Sequence, residues 1–204
     1  MTDDPYVYPG TDILRNKLDL RDARLLDHHE RALVTQRARE GIPAGQFDLA
    51  HLQAIHRHLF QDVYDWAGAI RTVDLAKGPS HFQHRGYIET GMADIHRRLR
   101  AKDFLKGTSR PAFASEAATI LGDVNYVHPF REGNGRTQLQ YLKQLALHAG
   151  HPCDLGRIPA GQWVEASIEA QDARYESMAV CIAQALMPVR ARAARDRGDF
   201  ERER

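Results

Sequence analysis

The sequence predicts an all-α domain carrying one short β-hairpin. Apolar residues recur at three- and four-residue steps in several separate stretches, the spacing that gives a helix one buried face. Alternation of apolar and polar residues appears in one place only, between Ile70 and Phe82. A chain of 204 residues with 43% apolar content is enough for one compact domain with a sizeable core.

Residues 1–20 are mixed in pattern and are expected to wrap the core as an irregular arm with a short helix. A helix over Asp22 to Glu40 follows, with Ala23, Leu26 and Leu33 inward and Gly41 as its stop. His28 and His29 fall on its charged face and read as solvated surface. After Gly41-Ile42-Pro43, Asp48 caps a helix with apolar positions Leu49, Leu52, Ile55, Leu59, Val63 and Trp66, ending at Gly68. His51, His56 and His58 do not share one face, which argues against a zinc site. From Arg71 the character changes. Val73 and Leu75 alternate with Thr72 and Asp74, and Lys77-Gly78-Pro79-Ser80 supplies turn chemistry before His81-Phe82. The exposed edge of such a hairpin is free to pair with an extended segment of another protein.

Ile88, Met92, Ile95 and Leu99 mark the next helix, which ends near Lys106-Gly107. Ser109, Arg110 and Pro111 start another, whose stripe is Phe113, Ala117, Ile120, Leu121, Val124 and Val127. Pro129 stops it, because the residue before a proline is pushed out of the α region, so His128 is expected at the helix end. Leu139, Leu142, Leu145, Ala146 and Ala149 mark a helix with Asn134 as its N-cap and Gly150 as its close. His151 to Asp154 reads as a connection, and Trp163–Gln171 and Tyr175–Leu186 as closing helices. The expected organisation is one domain over residues 1–187 and a charged tail over 188–204, solvated or frayed.

Composition narrows the function classes. A formal net charge of +1 gives no electrostatic case for nucleic acid or a membrane surface as partner. There is no apolar run long enough to span a bilayer and no basic-then-apolar leader. Two cysteines, Cys153 and Cys181, make no disulfide framework and point to a reducing cytoplasm.

The chemistry concentrates between Val127 and Arg136. His128 can accept a proton near neutral pH. Glu132 is a hard oxygen ligand of the kind Mg²⁺ uses alongside phosphate oxygens. Gly133 and Gly135 leave backbone N–H groups bare where a helix N-terminus already favours an anion. Asn134 can donate to a phosphate, and Arg136 offers a planar fork for phosphate oxygens. Base, metal carboxylate, anion cradle and cation within nine residues describe a phosphate-transfer site. It is not a P-loop, since no Gly-Lys-Ser/Thr follows and no strand precedes.

The string HPFREGNGR resembles the signature of the Fic (filamentation induced by cAMP) family. The likeness extends to DPYVYPGTDILRNKL, DLAHLQAIHRHLFQDVYDWAGAIRTVDLAKG and LALHAGH, covering roughly residues 5 to 187. These stretches are similar to bacterial Fic toxins and to the Fic domains of secreted effectors. The resemblance implies a Fic-fold helical domain with a flap hairpin near the active site. The activity it implies is transfer of AMP from ATP, with Mg²⁺, to a Tyr, Ser or Thr hydroxyl of a target protein. By that resemblance His128 is the base and Glu132 the Mg²⁺ ligand. Gly133, Asn134 and Gly135 cradle the phosphates, Arg136 clamps the β-phosphate, and Phe130 anchors the loop. The flap residues Arg71, Thr72, Val73, Asp74, Leu75, Lys77 and His81 dock the target. The family places a second arginine three residues beyond Arg136, where this chain has Leu139. Loss of that charge-assisted bond is worth roughly 1.5–3 kcal/mol, so beside the leading adenylyl-transfer reading it leaves open slower transfer, another phosphate-linked donor, or a fold that binds nucleotide or a protein partner without turnover. Lys143, Lys77 and His81 are candidate substitutes. No Ser/Thr-x₃-Glu-Gly/Asn segment of the family's inhibitory type occurs, so inhibition is expected from a separate antitoxin protein of a toxin pair. The expected location is the producer's cytoplasm, or a host cell for a secreted effector.

Overall fold

The computed structural model describes residues 4–78 and 80–188. They form seven α-helices and one hairpin: α1 (Ala23–Glu40), α2 (Leu49–Phe60), β1 (Ala76–Lys77), β2 (Ser80–His81), α3 (Ile88–Ala101), α4 (Arg110–Val127), α5 (Asn134–His148), α6 (Ala160–Glu169) and α7 (Glu176–Ala185). The all-α expectation with a short hairpin holds. The tail expected from 188 onward lies, beyond Pro188 itself, outside the described residues.

α4 is the axis. Its Phe113, Ala117, Ala118, Leu121 and Val124 have no exposed surface, because α3, α5 and α7 pack on it from different sides. A helix covered all round carries apolar residues on several faces, and the alanines let its neighbours approach closely. Burying one leucine such as Leu121 contributes about 2 kcal/mol. Ser109 caps its start by accepting the Ala112 N–H, and Pro111 sits in the first turn, where no backbone donor is needed. α2 lies between α1 and α5, and α6 packs on α7.

Three expectations are corrected. The arm over residues 4–22 contains no helix. It is an irregular strap with one bridge between Val7 and Leu14, held by Asn16, whose side chain bonds the backbone of Leu14 and Leu20. In α1 the inward stripe is Leu26, Glu30 and Val34, while Ala23 is exposed and Leu33 only half-buried. The difference is one polar residue, Glu30, occupying a core position. α2 stops at Phe60, and Val63 and Trp66 lie in the irregular turns that follow.

Candidate active site

His128 ends α4 in the left-handed conformation, φ 47° and ψ 61°, as Pro129 requires some departure from the helix. Its ring is fixed on both sides. Nδ1 lies 3.1 Å from the Asn125 carbonyl and so carries the proton it donates there, which leaves Nε2 with a free lone pair. Phe82 stacks on the ring at 3.6 Å between centroids. Burial, then the positive charges of Arg71 and Lys77, push the imidazole down to about 4 despite the Asn125 bond, so it is neutral at physiological pH. The Asn125 side chain donates to the Ser167 carbonyl at 2.9 Å, tying this end of α4 to α6.

Beyond His128 the chain makes a loop that closes on itself. Asn134 Oδ1 accepts the Phe130 N–H at 3.0 Å and its Nδ2 donates to the Phe130 carbonyl at 2.8 Å. Asn134 is therefore the first residue of α5 and not its cap. The N-cap is Gly133, at φ 82°, whose N–H donates to Glu132 Oε1 at 2.8 Å. A Cβ at Gly133 would stand 2.4 Å from the Phe60 ring, so only glycine fits. Gly135 faces open space, and its missing side chain leaves the cleft accessible. The N–H groups that open α5 have no partner within the helix, the arrangement that can receive an anion.

Phe130 has no exposed surface and stacks on His56 at 4.0 Å. His56 accepts the Gly68 N–H at Nδ1, 2.7 Å, and donates from Nε2 to the Glu132 carbonyl, 3.0 Å. Burial lowers this imidazole to about 4. His51 likewise spends both ring nitrogens on backbone groups, at Phe47 and Pro43, and His58 spends Nε2 on the Arg37 carbonyl.

His128, Glu132, Gly133, Asn134 and Gly135 line one cleft of about 560 Å³, with Leu75, Lys77 and Phe82 at one wall and Trp163, Val164 and Ile168 of α6 at another. Arg136 lines a neighbouring cavity of about 480 Å³, and Glu132 belongs to both. Arg136 Nη2 lies 2.5 Å from Glu30 and 3.4 Å from Glu132 Oε1, and its guanidinium sits 4.7 Å over the Phe60 ring.

The flap residues separate into two groups. Leu75 and Lys77 reach the cleft, and His81 is exposed opposite Ala76. Arg71, expected to dock a target, is 2% exposed. Its guanidinium donates to the carbonyls of His128 (2.8 Å), Val73 (2.6 Å), Gln83 and Val127 (3.3 Å), so it pins the hairpin to the end of α4. Thr72 is held at the hairpin base by Tyr6, and Asp74 by Arg85. Leu139 packs on the core. Lys143 is not among the residues that line either cavity. The residues that sequence reasoning missed are Asn125, His56, Glu30 and Tyr64. For His56 and Glu30 a signal existed: each is the polar member of an i, i+4, i+8 stripe, Leu52-His56-Phe60 and Leu26-Glu30-Val34.

The Fic/DOC family model matches residues 46–146. A relative from Sinorhizobium fredii, named "Probable protein adenylyltransferase", is 43% identical over 169 residues, covering 82% of this chain and 88% of that protein. Protein adenylyltransferase VbhT of Bartonella schoenbuchensis is 37% identical over 89% of this chain, which spans only 38% of VbhT. Among solved structures, BepC of Bartonella tribocorum with bound AMPPNP superposes with a TM-score of 0.81 at 29% identity, covering 91% of this chain and 97% of that one.

Proposed function

The chain belongs to the Fic/DOC family, and from that premise we propose that it transfers the AMP moiety of ATP to a hydroxyl of a target protein. The observation that carries this reading is the ring of His128, a neutral imidazole with Nε2 free, in one cleft with the opening amides of α5. The target Tyr, Ser or Thr oxygen attacks the α-phosphorus, the bond to the bridging oxygen breaks, pyrophosphate leaves, and the hydroxyl proton passes to Nε2. The amides of Asn134 and Gly135 receive the phosphate oxygens. Asn134 serves by its backbone alone, since its side chain clasps Phe130. Arg136 takes the β-phosphate.

Glu132 fits a Mg²⁺ site. Its side chain is 46% exposed at the junction of the two cavities, and Oε2 has no partner among the described residues. When bound, Mg²⁺ neutralises charge on the phosphates. The free edge of the hairpin, with Leu75 and Lys77, registers the target segment over the cleft, while Arg71 holds the hairpin in place. Free thiols at Cys153 and Cys181 suit a reducing cytoplasm, and no described helix is long and apolar enough to cross a membrane. A toxin role restrained by a small separate protein belongs to the same reading, and co-purification with a neighbouring-gene product tests it.

Leu139 favours a second reading, slower transfer or a different phosphate-linked donor, because it stands where the family places a second phosphate-binding arginine beyond Arg136. The test is transfer of label from α-labelled ATP with Mg²⁺ to lysate proteins. A band that disappears with His128→Ala supports adenylyl transfer. Label only with Leu139→Arg supports the second reading, and no label from any variant of folded protein with bacterial and eukaryotic lysates overturns the first.

A further inference from the structure

Glu30 is a carboxylate in a core position. It is 5% exposed between Leu26 and Val34 on the inward face of α1. An ionised group there loses its hydration and persists only with partners. It has two. Oε2 accepts the Tyr64 hydroxyl, and Oε1 lies 2.5 Å from Arg136 Nη2. Tyr64 is itself buried, stacks on Trp66 at 4.3 Å, and is kept protonated by burial and by the carboxylate beside it.

The contact is selective. Glu30 takes Arg136 by one terminal nitrogen, Phe60 supports the guanidinium plane from below, and Nε and Nη1 have no partner among the described residues. A guanidinium held at one end over an aromatic ring, with its other donors free, is prepared for phosphate oxygens, since less rotamer freedom remains to be lost on binding. We propose that Glu30 is a positioning residue of the transfer site, holding Arg136 so that its free donors face the nucleotide phosphates. The role depends on the adenylyl-transfer reading only for the identity of the reaction. The geometry concerns nucleotide binding in any case.

Two readouts test it: AMPPNP affinity with Mg²⁺ by calorimetry, and AMP transfer to the labelled target. Glu30→Gln keeps shape and removes charge. It is expected to weaken AMPPNP binding about tenfold and to raise KM for ATP with kcat within about twofold. Tyr64→Phe, which leaves the carboxylate less fixed, is expected to weaken binding about threefold and serves if Glu30→Gln does not fold. In an Arg136→Ala background, Glu30→Gln should have no further effect, which a purely structural role would not produce. Unchanged binding in a folded variant, tighter binding or faster transfer, or an equal loss without Arg136 each overturns the proposal. Wild type that transfers nothing while Glu30→Gln still weakens AMPPNP binding overturns the adenylyl-transfer reading and leaves Glu30 in its role.

Discussion

At His128 two constraints act on one ring. The Asn125 carbonyl holds the proton on Nδ1, and burial keeps a second proton off Nε2. The free imidazole is thus in its base form down to about pH 4. Transfer should lose rate on the acid side as pH falls through about 4, two units or more below an ordinary histidine, and a pH–rate profile of kcat/KM checks this. His128→Ala should lower transfer by roughly 10²–10⁴ without weakening AMPPNP binding. The two glycines of the loop should respond differently. Gly133→Ala drives a Cβ into Phe60 at positive φ and should cost about 2–3 kcal/mol in denaturant unfolding. Gly135→Ala meets no protein atom, so stability should stay near wild type while AMPPNP affinity falls. The motif was legible because its chemistry is local. Asn125 was not, because what matters is its backbone carbonyl, a group every residue carries.

Among the elements, the hairpin shows how little of itself holds it. Its strands are two residues each, too short to be stable alone, and four backbone carbonyls converge on the Arg71 guanidinium instead. Arg71→Lys keeps the charge but loses the planar fork. It should cost roughly 2–3 kcal/mol and expose residues 75–82 to protease, read by denaturant unfolding and limited proteolysis. The resemblance placed Arg71 in the docking flap because it heads the stretch that forms the hairpin. Nothing in sequence spacing shows that a buried ring of carbonyls awaits it. Helix ends were legible where a proline or capping side chain sets them, as at Ser109 and Pro129. The inward face of α1 was misjudged because an apolar count skips Glu30, the polar residue of that face that meets Arg136.

For the molecule as a whole, the fold class followed from periodicity, while long-range polar contacts did not. His56 joins α2 to the motif loop, with no exposed surface, and titrates at about 4 when folded. In the unfolded chain it binds a proton first, at its ordinary value of 6.5, so its contribution to stability is present above 6.5 and is lost toward pH 4. Between pH 7 and 5 this histidine alone should remove roughly 2 kcal/mol, and His56→Phe should flatten the pH dependence of the melting temperature. The strap at the start of the chain makes a contact of another kind. Asp4 pairs with Arg131 at 2.8 Å, a partner 127 residues later, and Tyr6 holds Thr72. During synthesis at about 5–20 residues per second, Asp4 waits roughly 6–25 s before Arg131 exists. The loop that carries the chemistry can be braced by its strap only after most of the helices have been made, so a nascent chain stopped before α5 has no assembled site.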